Sequence, residues 1–186
     1  MMIQRDEYLK FLLDWKDQQI IKVISGIKRC GKSTLLELFR ERLLQDGVDE
    51  KQIISINFED ADNSELCEYK KLYDHFKARM LPDKMNYIFL DEIQHVNQFQ
   101  KAVDSLFIKK NADVYITGSN AYFMSCELAT LLSGRYVELK MLSLSFKEYV
   151  SAFDSNKSLE ELYNSYVFNS SFPYTVGMTN RRNIHA

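Results

Sequence analysis

Nine consecutive residues, Gly26-Ile27-Lys28-Arg29-Cys30-Gly31-Lys32-Ser33-Thr34, satisfy the phosphate-loop pattern G-x-x-x-x-G-K-[ST] at every fixed position. Gly26 and Gly31 let the backbone turn its N–H groups inward on phosphate oxygens. Lys32 brings a point charge for the β- and γ-phosphates, and the Ser33 hydroxyl is a ligand for Mg²⁺. Asp91-Glu92 closes a second informative stretch, the apolar run at 86–90. Acids delivered there point to metal holding by Asp91 and activation of the attacking water by Glu92. Ser119 and Asn120 end another apolar run, where either γ-phosphate sensing or plain turn and cap chemistry accounts for them. Arg135 follows Gly134 and is a candidate to neutralise charge on a transferred phosphoryl group, in its own subunit or a neighbour's. An ordinary surface arginine is the equal alternative.

These groups need elements to hold them. Residues 20–24 read as a strand and residues 35–39 open a helix running to about 45 and stopping at Gly47, so the loop has the required strand before it and helix after it. Before them, residues 5–16 place Tyr8, Leu9, Phe11, Leu12 and Trp15 near one helical stripe, expected to face the core, with adenine stacking as the lesser reading. Strands are expected at 52–58, 86–93, 113–120 (breaking at Gly118) and 136–142, with helices at 64–80, 97–110 and 121–133. Lys109-Lys110 would complement the dipole of the second of these helices. The acidic run Glu59-Asp60-Ala61-Asp62 is expected to be a solvated loop, with Mg²⁺ or a partner as the alternative. Two short helices follow at 144–150 and 158–167, the second opening in capping-box form at Ser158 and Glu161.

At 186 residues the chain suits one main domain with a short appendage: an ATPase-like unit at 1–143, a lid-like helical segment at 144–175 and an irregular tail at 176–186. Hydrophobic residues at 46% and charged residues at 27% are ordinary for a globular protein. A net charge of −2 offers no basic field for a nucleic-acid backbone. Cys30, Cys67 and Cys126 are odd in number and form no metal-binding cluster, which suits reduced thiols in the cytoplasm. Neither a signal peptide nor a membrane-length apolar run is present, so a cytoplasmic location is expected.

Taken in order, Ser25 to Thr34, Phe89-Leu90-Asp91-Glu92-Ile93-Gln94, Ile116-Thr117-Gly118-Ser119-Asn120, Ser133-Gly134-Arg135 and Leu142 to Tyr149 resemble the prokaryotic AAA-type ATPases whose ATPase domain precedes a C-terminal domain of unknown function, DUF4143. The likeness covers about residues 1–175. It implies an α/β, three-layer P-loop NTPase fold with a mainly parallel five-stranded sheet in the order 5-1-4-3-2, and binding and hydrolysis of Mg-ATP. By this resemblance Lys32 and Ser33 serve phosphate and Mg²⁺, Asp91 and Glu92 serve metal and water, and Ser119 or Asn120 senses the γ-phosphate; Gly134-Arg135 matches as well. Members of that family continue past the segment that Phe172-Pro173-Tyr174 resembles into a long, often nuclease-like region. The expectation is therefore a cut chain or a truncated or frameshifted gene, in which any activity residing in that region would be absent.

Three functions follow as expectations. The first is an ATPase that couples nucleotide state to conformational change, with ATP, a homo-oligomer and an unidentified protein as partners. The second is an ATP-dependent binding switch with little turnover. The third, a small-molecule kinase, is disfavoured by Asp91-Glu92 and by the absence of an evident arginine-rich lid.

Overall fold

A computed structural model describes residues 3, 5–119, 132, 134–153, 157–169, 171–173 and 176. Its sheet consists of β1 Ile21–Gly26, β2 Ile53–Asn57, β3 Asn86–Asp91, β4 Ala112–Ser119 and β5 Tyr136–Met141. The strands lie in the order β2-β3-β4-β1-β5, and all four pairings are parallel. This is the expected order, in the expected α/β P-loop architecture. β1, β3 and β4 are buried almost throughout, which is why their sequences read as near-continuous apolar runs.

Strand alternation divides the interior into two cores. On one face Val23, Ile88, Leu90 and Ile116 meet Leu72 and Phe76 of α3 (Tyr69–Arg79) and Val103 and Leu106 of α4 (Phe99–Phe107). On the other, Ile24, Phe89 and Tyr115 pack against Leu12 of α1 (Asp6–Asp14) and Leu35, Phe39 and Leu43 of α2 (Lys32–Gln45). Phe39, Phe89 and Tyr115 form a three-ring cluster with centroids 5.0, 5.2 and 5.9 Å apart. Lys22 interrupts this apolar face. Fully buried, it donates to Asp113 Oδ1 at 2.5 Å and to the Gln18 carbonyl at 2.7 Å. Burial lowers its pKa, and the Asp113 carboxylate opposes that shift.

Local structure departs from sequence expectation in four places. The helix expected over 64–80 is divided into a 3₁₀ stretch, Ala61–Cys67, which Asp60 caps, and α3, which begins at Tyr69. Between them Glu68 is extended and bridged to Asn97, whose N–H bonds to the Cys67 carbonyl at 2.7 Å. Tertiary pairing thus takes a carbonyl that a continuous helix would use. α4 ends at Phe107, with Lys109 and Lys110 beyond it, so no basic residue of its last turn complements the dipole. β3 stops at Asp91 because Glu92 is left-handed, at φ 55 and ψ 51. Gly118 does not break β4, since it pairs with Ser25 of β1. The helix expected over 121–133 lies outside the described residues, except for 132.

After β5, α5 (Phe146–Ser151) and α6 (Leu159–Asn169) pack around Leu144, Tyr149 and Leu162. Ser145 with Glu148 forms a capping box, and Ser158 exchanges the expected backbone-to-side-chain hydrogen bonds with Glu161. Leu159, Tyr163, Val167 and Phe168 of α6 are exposed.

The three-ring cluster makes a stability prediction. Phe39→Ala removes one of its three rings from a fully buried position and should cost about 3–5 kcal/mol in urea-induced unfolding.

Candidate functional site

Strand register places the two acids. Leu90 of β3 opposes Ile116 of β4, so Asp91 and Thr117 follow side by side on the face that α2 covers. The Thr117 hydroxyl donates to Asp91 Oδ1 at 2.5 Å and accepts the Glu92 N–H at 2.9 Å. Burial raises the Asp91 pKa above its ordinary value, while hydrogen bonds from Ser33 and Thr117 pull against that rise.

The phosphate loop leaves the same edge of the sheet. Gly26 pairs with Ser119, which puts Ser119 beside the loop's first residue. A Cβ on Gly26 would lie 2.5 Å from the Met141 carbonyl oxygen and 2.8 Å from Cys30 Sγ, so the position accepts glycine alone. Ile27 is exposed, Arg29 has φ 69, and Gly31, at φ 101, turns the chain into α2. Lys32, Ser33 and Thr34 form the first turn of α2. Cys30 is fully buried and its thiol pKa is pushed up by that burial, which suits packing and disfavours a reactive thiolate.

Lys32 folds back over the loop. Its Nζ donates to the carbonyls of Gly26 and Ile27 at 3.3 and 3.4 Å and lies 3.3 Å from Glu92 Oε1. The other carboxylate oxygen, Glu92 Oε2, accepts from Gln94 Nε2 at 2.5 Å. Lys32 and Glu92 are only 4% and 8% exposed, so this ion pair is largely shielded from water. Above the loop opens a cleft of about 440 Å³. Its polar lining includes Lys28, Lys32, Ser33, Glu59 and Glu92, and its apolar lining Ile3, Leu38, Leu144 and Pro173. Glu59, read from sequence as part of a solvated loop, accepts from Lys28 Nζ at 2.8 Å at this cleft, and that hydrogen bond lowers its pKa.

Arg5, which no sequence motif marks, contacts the loop at Cys30 and also lines the cleft. Only 4% exposed, it donates to the carbonyls of Cys30 (3.0 Å), Leu142 (3.1 Å) and Ser143 (3.4 Å) and to both carboxylate oxygens of Glu148 (2.8 and 3.3 Å). It therefore joins the segment before α1, the phosphate loop, the exit of β5 and α5. Thr117 is the second residue that sequence reading left without a role. Its signal was strand register, which becomes visible only once β3 and β4 are paired. The aromatic face of α1 turns to the core, with Tyr8 and Phe11 packed on the cluster around Leu12.

Arg135 is placed elsewhere. It precedes β5, and its carbonyl accepts from the N–H of Ile21, the first residue of β1. The length of β1 from Ile21 to Gly26, five steps of about 3.3 Å, puts it about 17 Å from the loop of its own chain. There its guanidinium pairs with Asp104 at 3.0 Å and stacks over Phe107. The expectation of an arginine at the phosphates is thus corrected for the same subunit, because a residue that leads into a parallel strand lies at the edge opposite the loop. Asn120 lies outside the described residues. The structure therefore gathers Gly26 to Thr34, Asp91, Glu92 and Ser119 at one edge and leaves Arg135 at the other.

With this geometry in view, the sequence profile described as "AAA domain" matches residues 18–150. The chain belongs to the AAA domain family. Among its relatives are an uncharacterized protein of Haemophilus influenzae, 42% identical over 94% of this chain and 45% of the relative, and one of Methanocaldococcus jannaschii, 35% identical over 70% of this chain and 28% of the relative. The chain thus spans less than half the length of these two curated relatives. Two solved structures share the fold of this AAA domain. The Walker-type ATPase PABY2304 of Pyrococcus abyssi has a TM-score of 0.61 at 16% identity, covering 94% of this chain and 65% of its own. AMPPCP-bound DnaA from Aquifex aeolicus has a TM-score of 0.63 at 13% identity, covering 91% and 57%. Among the described residues no helix is long and apolar enough to cross a membrane.

The Arg5 clasp is testable by pH. Burial pushes the Glu148 pKa up, but the Ser145 N–H and hydroxyl and the Arg5 guanidinium outweigh it and hold the carboxyl below its ordinary value. A lowered folded-state value adds stability above the unfolded glutamate pKa of about 4.3, and that stability is lost as pH falls through the folded value. The thermal midpoint of the wild type should therefore drop more steeply than that of Glu148→Gln as pH falls from about 5, followed by circular dichroism.

Proposed function

We propose that this AAA domain binds Mg-ATP and hydrolyses it, coupling nucleotide state to a change in how residues 144–175 sit on the cleft. The observation that carries this reading is the Glu92 carboxylate, buried at the cleft and 3.3 Å from Lys32 of the phosphate loop. Loop N–H groups and the N-terminus of α2 receive the triphosphate, and Lys32 exchanges its loop carbonyls and Glu92 for phosphate oxygens. Ser33 and Asp91 suit Mg²⁺: one hydroxyl and one carboxylate leave the remaining positions to phosphate and water oxygens. Bound there, Mg²⁺ would neutralise charge developing on the phosphates. Glu92, released by Lys32, takes a proton from the attacking water. Ser119, beside Gly26, and Asn120 are proposed to sense the γ-phosphate.

Ile3, Leu38, Leu144 and Pro173 supply the apolar lining that a nucleobase needs, and two of these four belong to the proposed lid. A second reading, a nucleotide-dependent switch with little turnover, is favoured by the position of Arg135 at the far edge. Charge compensation by that residue would require a neighbouring subunit, so a homo-oligomer is the proposed working state. The proposed location is the cytoplasm, and the proposed recipient of the work is a protein partner, since the net charge of −2 does not favour nucleic acid.

Phosphate release decides between the readings. Wild type should turn over ATP, and Lys32→Ala and Glu92→Gln should each fall by about a hundredfold or more, with ATP binding kept in Glu92→Gln. Tight binding without wild-type turnover would favour the switch, and ADP formation only with an added acceptor would favour a kinase. If Arg135 acts across subunits, light scattering should detect a larger assembly with ATP than without it.

A further inference from the structure

We propose that Gln94 is a positioning residue for the Glu92 carboxylate, a role that rests on the hydrolytic reading above. The two oxygens of Glu92 are held differently. Oε1 faces Lys32 Nζ at 3.3 Å, a partner that phosphate oxygens compete for, whereas Oε2 accepts from Gln94 Nε2 at 2.5 Å, a partner that the nucleotide leaves alone. When Lys32 turns to phosphate, Gln94 keeps one oxygen in place and the other is free to accept a proton from water. A general base oriented by a third group is a recurring arrangement, and here the orienting group sits two residues along the chain.

The backbone leaves this task to a side chain. Glu92 is left-handed, at φ 55, and its N–H is bonded to Thr117, so the main chain fixes where the side chain starts but not where its carboxylate ends. The amide orientation of Gln94 follows from chemistry. A carbonyl oxygen turned towards Glu92 Oε2 would repel it, so the NH₂ group must face the carboxylate. Gln94 Oε1 consequently points the other way, into a buried position where no hydrogen-bond partner meets it among the described residues. An unpaired buried acceptor works against folding. A glutamine at this position therefore serves geometry at the expense of stability, the reverse of what a purely structural residue does.

That contrast sets the test. Gln94→Leu removes both the donor to Glu92 and the unpaired acceptor, and Gln94→Glu keeps the size but replaces the donor with a charge. Single-turnover and steady-state ATP hydrolysis, ATP affinity and thermal midpoint are measured for both variants beside wild type and Glu92→Gln. Expected are a fall in kcat on the order of tenfold to a hundredfold in both, ATP affinity within about twofold of wild type, and a thermal midpoint for Gln94→Leu equal to or above that of wild type. A kcat for Gln94→Leu that is unchanged or raised, while Glu92→Gln is inactive, overturns the positioning role and leaves the hydrolytic reading intact. So does a loss of kcat that tracks a falling thermal midpoint in both variants. Wild type without turnover, or turnover indifferent to Glu92→Gln, overturns the hydrolytic reading and the positioning role together.

Discussion

A buried guanidinium must have all its N–H groups met, and the Arg5 side chain meets that demand with groups drawn from across the fold. Its partners are a loop carbonyl, two carbonyls at the exit of β5 and the carboxylate that caps α5. Because an unpaired buried charge is so costly, the cluster forms nearly whole or not at all. The phosphate loop and the helices after β5 are thereby mechanically joined through a residue that belongs to neither. The Cys30 carbonyl and the Glu148 carboxylate thus share one guanidinium, a direct contact path from the loop backbone to the first turn of α5.

The acidic side of the cleft relies on a different device. Parallel pairing with fixed register brings Asp91 beside Thr117, and a single hydroxyl then serves both the Asp91 carboxylate and the Glu92 backbone. Sheet geometry, rather than any local sequence preference, decides that one acid faces α2 and that the next leaves the strand in a left-handed turn. The same register seats Ser119 next to Gly26. Three chain segments far apart in sequence thus meet at one edge through the pairing of three central strands.

Much of this was legible in the residues themselves. The loop, its flanking strand and helix, the buried strands and the Asp91-Glu92 terminus all follow from short-range patterns, and such patterns survive folding when they agree with the tertiary environment. The parts that escaped depend on partners distant in sequence. Nothing near Arg5 announces Cys30, Leu142 or Glu148, and Lys22 reads as a blemish in an apolar strand until Asp113 is placed against it. The extended residue between the 3₁₀ stretch and α3 depends on Asn97, far downstream. Whether Arg135 could serve its own subunit was not legible for a simpler reason: its chemistry suits phosphate, but its place before a parallel strand commits it to the opposite edge.

The position of β1 in the sheet has a consequence for synthesis. β1 is made first among the strands, yet its two neighbours, β4 and β5, are made last. At ordinary translation rates the strand that carries the phosphate loop waits on the order of ten seconds for both partners. Through that interval an apolar strand with two open edges is exposed, and the nucleotide has no formed loop to stabilise. The feature that buries β1 at the centre of the finished sheet therefore leaves both its edges unpaired until the last strands are made, and makes nucleotide a ligand of the completed fold rather than an aid to its assembly.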